Sequence, residues 1–518
     1  MSLNLLARKD VHAMLAETEG EKSGLKRTLG PFNLVTLGIG AIIGTGIFVL
    51  VGPAAALKAG PAVVLSFVVA AIASAFAGIC YSEFAAAIPI AGSAYSYGYT
   101  ALGEIVAWII GWALIMEYAF GAATVAVGWS GYINSLLHNL GINLPPSLAA
   151  APGTQVVFSD GIWKPLSSMT AAAQAAAASL PHAVAHFNIL AFFGILLVTA
   201  ILVIGISESA NINTAIVVIK VSVLLVFVGI AIIFLKGVGW HHAVQNWKPF
   251  MPFGWSGVFK GAAFIFFAYI GFDAVSTAAQ ESSNPQKDMP VGILGSLVVC
   301  TILYILVGGL LTGIVPWNTL NVPDPVALGV DATGVVWGSV LVKVGAICGL
   351  TSTMLVMLLG QSRVFYTMSS DGLLFQWASK IHKKFRTPYV STIVVGVVVA
   401  IVAAFFPVEQ LADLTNIGTL TAFAIVCASV WAMRRREPDL KRPFRTPWVP
   451  VVPILGVLIS IGLIWELTTV TKVAFLIWLA IGLVIYFIYG HRHSQVQRSL
   501  QKAVSAIPGS FGRGMGGH

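Results

Sequence analysis

Residues 38–48 read GIGAIIGTGIF and lie inside the first long apolar segment of the chain. The stretch contains Thr45 and four glycines, which are Gly38, Gly40, Gly44 and Gly46. A glycine inside a helix costs ~0.5–1 kcal/mol relative to alanine, so these glycines weaken a membrane helix. One interpretation is a small-residue face that lets two membrane helices approach closely. The other is a helix broken near residues 44–46, whose second half presents free N–H groups and a positive dipole end inside the bilayer.

The composition restricts the class of protein. The 518 residues are 57% hydrophobic and 9% charged, and the mean hydropathy is +0.89. Soluble domains carry about 25% charged residues, so the chain is predicted to be an all-α polytopic membrane protein. Its four cysteines lie within apolar runs, which indicates small apolar side chains and no disulfide framework.

Apolar runs of about 20 residues, enough to cross ~30 Å of hydrocarbon, recur along nearly the whole chain. They predict a cytoplasmic N-terminal segment (1–31), a membrane domain (32–490) and a cytoplasmic C-terminal tail (491–518). The predicted twelve transmembrane helices cover residues 32–57, 61–88, 100–136, 187–207, 211–236, 257–281, 291–315, 340–369, 389–406, 410–433, 450–468 and 471–490.

The net charge of +9 follows from membrane topology rather than from nucleic-acid binding. Most of the 29 basic residues fall in loops on the side of the two termini, and positively charged loops remain in the cytoplasm. Both termini are therefore predicted to be cytoplasmic, in a multi-pass protein of the bacterial inner membrane. Residues 1–31 have no apolar core, so no cleavable signal peptide is expected.

Two segments outside the spans have a biased composition. The Ala-rich run AAAQAAAASLP (171–181), in the long loop after the third span, predicts a short surface helix. The Gly-rich end of the tail, GSFGRGMGGH (509–518), is predicted to be disordered.

A second unusual span covers residues 257–281, where Gly271 follows an aromatic run and Asp273 lies inside the apolar stretch. It is the sixth span, so it crosses the membrane in the direction opposite to the first, and each begins a set of five spans. Gly-interrupted segments at corresponding places of two halves are typical of inverted-repeat transporters with a midplane binding site. This favours the broken helix at residues 44–46.

Six motifs are spread along the chain: GIGAIIGTGIF (38–48), IPIAGSAYSYGY (88–99), FFAYIGFDAVSTAAQESSNPQKDMP (266–290), RVFYTMSSDGLL (363–374), LTNIGTLTAF (414–423) and DLKRPFRTPWVPVVP (439–453). Together they resemble the amino acid–polyamine–organocation (APC) superfamily of permeases, within it the bacterial relatives of the cationic amino acid transporters. The resemblance implies the LeuT-type fold, a 5+5 inverted repeat (32–236 and 257–433) plus two peripheral helices (450–490). It also implies a free amino acid as substrate.

Main-chain groups at the two breaks can hold an amino acid zwitterion. N–H groups at the start of the second half of the first span can bind the carboxylate; they belong to Gly44, Thr45 and Gly46. Carbonyl groups where the first halves end can accept from the ammonium; they belong to Ile42, Phe267, Ala268 and Ile270. Such recognition reads the part common to every amino acid and leaves the side chain to another pocket.

The resemblance implies a side-chain pocket lined from spans 3, 6, 8 and 10. Candidates here are Glu117, Ser352, Thr353, Thr415 and Asn416. A hydroxyl in a span can instead bond the carbonyl three or four residues earlier in its own helix. A carboxylate at Glu117 favours basic substrates if it is charged and unpaired, or serves as a structural donor if it is protonated.

Lys220 lies about ten residues into the fifth span, roughly 15 Å deep at 1.5 Å per residue. Its stem would reach only ~6 Å toward the surface, so snorkelling is the weaker alternative. The resemblance matches Lys220 to a lysine that occupies, in the proton-coupled branch of the superfamily, the place of a sodium ion between spans one and eight. Lys220, together with Glu117, is therefore the predicted proton-coupling group.

Other motif residues have expected roles near the breaks or at the cytoplasmic side. Asp273 is expected to accept from N–H groups freed by the broken sixth span rather than to touch substrate. Tyr95, Tyr97 and Tyr99 lie in the loop after the second span, where aromatic residues are typical of the membrane interface. The resemblance implies instead that this loop belongs to an inner gate. The chain departs from the family pattern at three positions on the predicted cytoplasmic side, which are Lys287, Ser370 and Phe375.

The predicted function is a secondary active permease for L-amino acids, working as a proton symporter by alternating access. An amino-acid exchanger of the same fold is the alternative, followed by a channel or a non-transporting receptor. No enzyme activity, metal site or cofactor is expected, because no histidine lies deep in a span and the cysteines lack ligand spacing. The chain also lacks a GxxxxGK[ST] loop for ATP-driven transport. The expected partners are the amino acid, protons and the lipid bilayer.

Overall fold

The fold was analysed in a computed structural model that describes residues 4–11, 29–88, 93–150, 152–159, 162–166, 169, 175–205, 210–279 and 282–505. Helices dominate the part before residue 250: α1 (Pro31–Ile42), α2 (46–59, formed by Gly46–Leu50, Val51–Ala54 and Ala55–Ala59), α3 (Val63–Ala87), α4 (Ser93–Ala101), α5 (Glu104–Asn139), α6 (Pro146–Ala149), α7 (Ile189–Ile204), α8 (Ala210–Val238) and α9 (Trp240–Asn246).

The rest of the chain is also helical. Short 3-10 turns cover Gly60–Ala62, Trp317–Thr319 and Gln376–Ser379. The longer elements are α10 (Gly254–Ile265, extended by a 3-10 turn at Phe266–Tyr269), α11 (Phe272–Thr277), α12 (Pro285–Ile314), α13 (Pro325–Asp331), α14 (Val336–Ser370), α15 (Tyr389–Phe405), α16 (Val408–Arg436), α17 (Val451–Glu466), α18 (Thr469–Ile485, continued by Tyr486–Gly490 and His491–His493) and α19 (Gln495–Ser505).

These bounds agree with the helical stretches predicted from the sequence to within a few residues. Among the described residues, seven helical segments have the length and apolar character needed to cross a membrane, and four apolar helices of 10–17 residues accompany them. Helices of these lengths satisfy their own backbone groups in lipid. The chain is an all-α polytopic membrane protein.

The long loop between α5 and α7 contains a small sheet that the sequence analysis did not predict. Its described strands are β1 (Gln155–Ser159), β2 (Ile162–Pro165) and β3 (His182–Val184), in the order β2-β1-β3 with antiparallel pairing. Of the Ala-rich run, residues 175–177 form one helical turn and 171–174 lie outside the described residues. Strands this short carry too few side chains to give a clear alternation.

Helix α5 forms the centre of the bundle and packs against α14 and α16, while α12 packs against α1 and α3. The two ends of the chain meet on one face of this bundle. The backbone N–H of Glu104 donates to the carbonyl of Ala7 (2.8 Å), and that of Gln495 donates to the carbonyl of Asp371 (3.0 Å). We call this end of the bundle the termini face. The Gly-rich end (509–518) lies outside the described residues.

Candidate binding site

The first apolar segment is interrupted where its glycines cluster. Helix α1 ends at Ile42, and Ile43 adopts an extended conformation (φ −70°, ψ 105°). The helical conformation resumes at Gly46. The prediction of a broken helix is confirmed, and the first N–H groups of α2 have no partner within their own helix.

The sixth predicted span is broken as well. The 3-10 turn after α10 stops at Tyr269, Ile270 is extended (φ −63°, ψ 135°), and Gly271 has φ 120°, which only glycine adopts readily. A Cβ at Gly271 would lie 2.7 Å from the carbonyl carbon of Ala41. The two breaks are therefore in direct contact.

Asp273 stabilises this second break. Its Oδ1 accepts from the N–H of Gly271 (3.1 Å), and its Oδ2 accepts from the hydroxyl of Tyr118 (3.2 Å). The prediction that Asp273 accepts from an N–H group freed by the break is thus confirmed.

The glycines of the first break also serve close packing. A Cβ at Gly44 would lie 2.8 Å from Oγ1 of Thr353, and a Cβ at Gly46 would lie 2.2 Å from Cα of Ala268. Both distances are too short for a side chain. The two interpretations of GIGAIIGTGIF therefore apply together, because the missing side chains allow both the break and the contact with its neighbours.

Tyr304 of α12 connects the carbonyl groups of the two breaks. Its hydroxyl lies 2.9 Å from the main-chain oxygen of Ile42 and 2.9 Å from that of Ala268. The hydroxyl has one hydrogen, so it can donate to only one of these two carbonyl oxygens at a time. The sequence analysis missed Tyr304, because a tyrosine in an apolar span has no distinguishing pattern.

The other predicted carbonyl groups differ in their environment. The oxygen of Phe267 accepts from the N–H of Ile270 (3.1 Å), which closes the 3-10 turn, so it is less available than the sequence suggested. Among the hydrogen bonds described outside helices and strands, none involves the N–H groups of Gly44, Thr45 or Gly46.

Lys220 lies in α8 beside the first break and is fully buried. Its Nζ donates to the carbonyl oxygens of Gly40 (2.7 Å) and Ile43 (2.9 Å) and to Oγ1 of Thr353 (3.1 Å). The ammonium thus lies between α1 and α14, where the resemblance placed it. The alternative of snorkelling to the surface is wrong.

Three predicted site residues hold buried polar atoms without a hydrogen-bond partner in the described part of the chain. These atoms are Oγ1 of Thr45, both carboxyl oxygens of Glu117 and Oδ1 of Asn416. The Nδ2 of Asn416 is engaged, since it donates to the carbonyl oxygens of Ala263 (3.0 Å) and Phe264 (2.7 Å) at the end of α10. Buried polar groups are nearly always paired, so each of these atoms is a candidate for contact with a ligand.

The hydroxyl groups proposed for the side-chain pocket mostly bond their own helices. Ser352 and Thr353 donate to the carbonyl of Gly349 (3.0 and 3.1 Å), and Thr415 donates to that of Leu411 (2.8 Å). All three hydroxyls therefore donate to carbonyl groups of their own helices, as the alternative predicted. Their oxygens can still accept hydrogen bonds.

The space around Gly121 of α5 is lined from four different helices. A Cβ at Gly121 would lie 3.4 Å from Sδ of Met357, 3.5 Å from Cγ2 of Thr415 and 3.9 Å from Cε2 of Phe267. Glu117 precedes Gly121 by four residues and therefore faces the same side of α5. Apolar groups of α5, α10, α14 and α16 thus converge beside the two breaks.

An ion pair closes the termini face below this region. Nζ of Lys9 lies 2.7 Å from each carboxyl oxygen of Asp371, and the hydroxyl of Tyr95 donates to Oδ2 of Asp371 (2.7 Å). Tyr97 and Tyr99 are buried beside it. Of the loop predicted to form an inner gate, Tyr95 takes part in this contact, and the segment 89–92 lies outside the described residues.

The opposite end of the bundle is more open. A cavity of about 500 Å³ lies there between the outer parts of α2 and α5, the sheet and the start of α16. Its polar lining includes Thr154, Gln155, Asn321 and Glu409.

Comparison with known proteins gives a consistent result over the whole chain. The family model described as amino acid permease matches residues 29–492. The chain is 45% identical to the branched-chain amino acid permease BcaP of Bacillus subtilis (strain 168) over 96% of this chain and 100% of that protein. It is 42% identical to the methylthioribose transporter of the same organism, again over 96% and 100%.

A more distant similarity reaches the eukaryotic transporters. The chain is 35% identical to the vacuolar cationic amino acid transporter 4 of Arabidopsis thaliana, over 84% of this chain and 68% of that protein. The match of the family model over most of the chain, with these relatives, shows that the protein belongs to the amino acid permease family of the APC superfamily.

Proposed function

We propose that this protein is a secondary active transporter that moves free L-amino acids across the bacterial cytoplasmic membrane. It uses the LeuT-type arrangement of twelve transmembrane helices, with inverted repeats at 32–236 and 257–433 and both termini in the cytoplasm. The two broken helices in contact, at Ile42–Gly46 and at Ala268–Gly271, are the observation that carries this proposal. They bring free backbone donors and acceptors together at one buried point.

The zwitterion is recognised by these main-chain groups. The carboxylate binds at the start of α2, where the helix dipole and the N–H groups of Gly44–Gly46 favour a negative charge. The ammonium donates to the carbonyl oxygens of Ile42 and Ala268, which Tyr304 holds 2.9 Å from its own hydroxyl. An ammonium has three hydrogens, so it satisfies both oxygens at once.

The side-chain pocket favours neutral apolar substrates. Met357, Thr415 and Phe267 present apolar atoms around the space above Gly121. The similarity to the branched-chain permease BcaP agrees with this chemistry. Glu117 lies on the same face, so a basic amino acid is the second substrate class, which the similarity to a cationic amino acid transporter supports.

Transport is coupled to protons through Lys220. The ammonium of Lys220 donates to Gly40 and Ile43 on the two sides of the position where α1 ends. Loss of its proton would remove the positive charge and leave two hydrogens for three acceptors, which weakens its hold on the broken segment. Exchange of one amino acid for another, without net proton movement, is the alternative mode.

The decisive experiment is a thermal-shift screen of the purified full-length protein against the twenty amino acids and methylthioribose. We expect leucine, isoleucine or valine to raise the unfolding temperature most, and these ligands to enter proteoliposomes faster when the lumen is alkaline. Stabilisation by arginine or lysine would move the substrate to the basic class. Stabilisation by methylthioribose alone would overturn the amino acid assignment.

A second measurement separates the carrier from a channel or a receptor. Uptake by a carrier saturates and supports counterflow of labelled substrate, whereas a channel gives currents linear in voltage. A receptor binds without any uptake. Counterflow that is independent of the pH gradient, with no net accumulation, would identify the exchanger.

A further inference from the structure

A buried carboxylate lies on the termini face, and its described hydrogen bonds involve no residue of the two breaks. Glu104, the first residue of α5, is completely buried. Its carboxyl oxygens accept from the hydroxyls of Tyr99 (2.8 Å), Tyr486 (2.9 Å) and Ser494 (2.5 Å). Two of these three donors belong to the C-terminal end of the chain, so Glu104 joins the start of α5 to the tail.

The same C-terminal segment holds the loop that follows α14. The backbone N–H of Gln495 donates to the carbonyl of Asp371 (3.0 Å), and its Nε2 donates to the carbonyl of Ser370 (2.5 Å). The rings of Tyr489 and Phe375 pack with centroids 4.8 Å apart. Ser370 and Phe375 are two of the three positions where the chain departs from the pattern of its family, and both lie against the tail.

The tail is given a defined shape by its own sequence. Residues 494–497 read SQVQ, the spacing of a capping box. Oγ of Ser494 accepts from the N–H of Gln497 (3.2 Å) while donating to Glu104. One hydroxyl therefore starts helix α19 and also binds α5.

The loop held in this way carries the carboxylate that closes the termini face. Asp371 lies between the backbone of Gln495 on one side and Lys9 and Tyr95 on the other. Nε2 of Gln497 also donates to the carbonyl of Asn4 (2.6 Å), so the tail holds the N-terminal segment that presents Lys9. Opening of this face requires these groups to separate.

We propose that residues 486–498 form a latch that keeps the termini face closed, with Glu104 as its anchor and the 370–375 loop as the part it holds. The latch goes beyond substrate recognition, because it contacts none of the groups at the two breaks. Breaking it shifts the conformational equilibrium toward the state that is open at this face. The loss of one such hydrogen bond corresponds to about a fivefold change in that equilibrium.

The test is hydrogen–deuterium exchange of the purified full-length protein in lipid nanodiscs, without substrate. We expect the double variant Ser494→Ala/Gln495→Ala to exchange about fivefold or more faster than the parent in peptides covering 93–101 and 368–375. Peptides at the far end of the bundle, such as 321–331, should be unchanged or slower. Tyr486→Phe, which removes one hydroxyl and keeps the ring, should show the same pattern more weakly.

The matched control is Ser499→Ala. Its hydroxyl lies on α19 and donates only to Val496 within that helix (2.8 Å), so exchange at 93–101 and 368–375 should match the parent. Equal exchange in the parent and in both latch variants would overturn the proposal, and so would an equal increase in Ser499→Ala. Because no substrate is used, this outcome is independent of whether amino acids are transported.

Discussion

The Nζ atom of Lys220 lies 2.7 Å from the carbonyl oxygen of Gly40, in the last turn of the helix that the glycine-rich stretch interrupts. The same atom donates to Ile43, just beyond the helix end. A charged group of α8 therefore supplies hydrogen-bond donors to carbonyls that the break leaves without helical partners. This contact links the proposed proton site to the proposed substrate site through only two or three residues of main chain.

Lys220→Met should abolish proton-driven accumulation. The substitution keeps an apolar stem of similar length but leaves the carbonyls of Gly40 and Ile43 without this donor, at a cost of ~1–3 kcal/mol for each buried group. Uptake by proteoliposomes with and without a pH gradient measures the effect. Lys343→Met is the control, because Lys343 is equally buried but pairs with Asp331 away from the site. Normal proton-driven accumulation in Lys220→Met would contradict the coupling role.

Tyr304→Phe should lower the stability of the free protein and enlarge the stabilisation by substrate. Loss of the hydroxyl leaves the carbonyls of Ile42 and Ala268 unpaired by it, which costs ~1–3 kcal/mol in the free state, whereas a bound ammonium restores both partners. Thermal unfolding with and without ligand gives the two quantities. The control is Tyr269→Phe. The hydroxyl of Tyr269 donates to the carbonyl oxygen of Phe67 (3.0 Å), so its removal should lower stability without changing the ligand-induced shift. Equal ligand shifts in the two variants would argue against the ammonium site.

Gly46→Val should prevent substrate binding while the protein still inserts into the membrane. The new Cβ would lie 2.2 Å from Cα of Ala268, so the two broken helices must separate. The matched control is Gly229→Val in α8, where a Cβ meets no atom within 4 Å. Expression level, size-exclusion profile and ligand-induced thermal shift distinguish the variants. Retained substrate binding in Gly46→Val would mean that residues 38–48 serve only helix packing.

Glu117→Gln should keep the fold and change function. Neither carboxyl oxygen has a hydrogen-bond partner among the described residues, and the neighbouring hydroxyl of Thr419 donates to the carbonyl of Thr415 (3.1 Å). The amide therefore breaks no described hydrogen bond, and the unfolding temperature should stay within about 2 °C of the parent. Uptake of neutral and basic amino acids across a range of pH then shows whether this carboxyl group binds the substrate side chain or takes part in proton coupling.

Glu83→Gln provides the contrasting case for that experiment. Glu83 receives two hydrogen bonds from Arg434 (2.9 and 2.7 Å) and one from the N–H of Thr446 (2.7 Å). Loss of its charge should lower the free energy of unfolding by ~1–3 kcal/mol. A similar loss of stability in Glu117→Gln would mean that Glu117 is structural.

Much of the architecture could be predicted from the sequence, because hydrocarbon imposes one rule on every span. A segment of about 20 apolar residues must be helical to satisfy its backbone, so helix positions followed from composition alone. The breaks followed from glycines inside such segments, and the depth of Lys220 followed from its distance along a helix. The small sheet in the loop was missed, since no comparable rule applies outside the membrane.

The partners of individual side chains could not be read from the sequence. Tyr304 comes after both breaks in the sequence. Its hydroxyl lies within hydrogen-bond distance of both because α12 packs against α1. Likewise the local hydrogen bonds of Ser352 and Thr415, and the docking of residues 486–498 on Glu104, depend on which helix faces turn toward each other.

The sequence by itself determined that this protein is a helical membrane permease with two interrupted spans, since periodicity, glycine content and motifs are local properties of the chain. The tertiary structure decided that the two interruptions touch, that Lys220 and Tyr304 supply donors to them, and that the tail docks on Glu104. These relationships join residues up to 390 positions apart. Such contacts arise only when packing fixes the distance and orientation of separate helices.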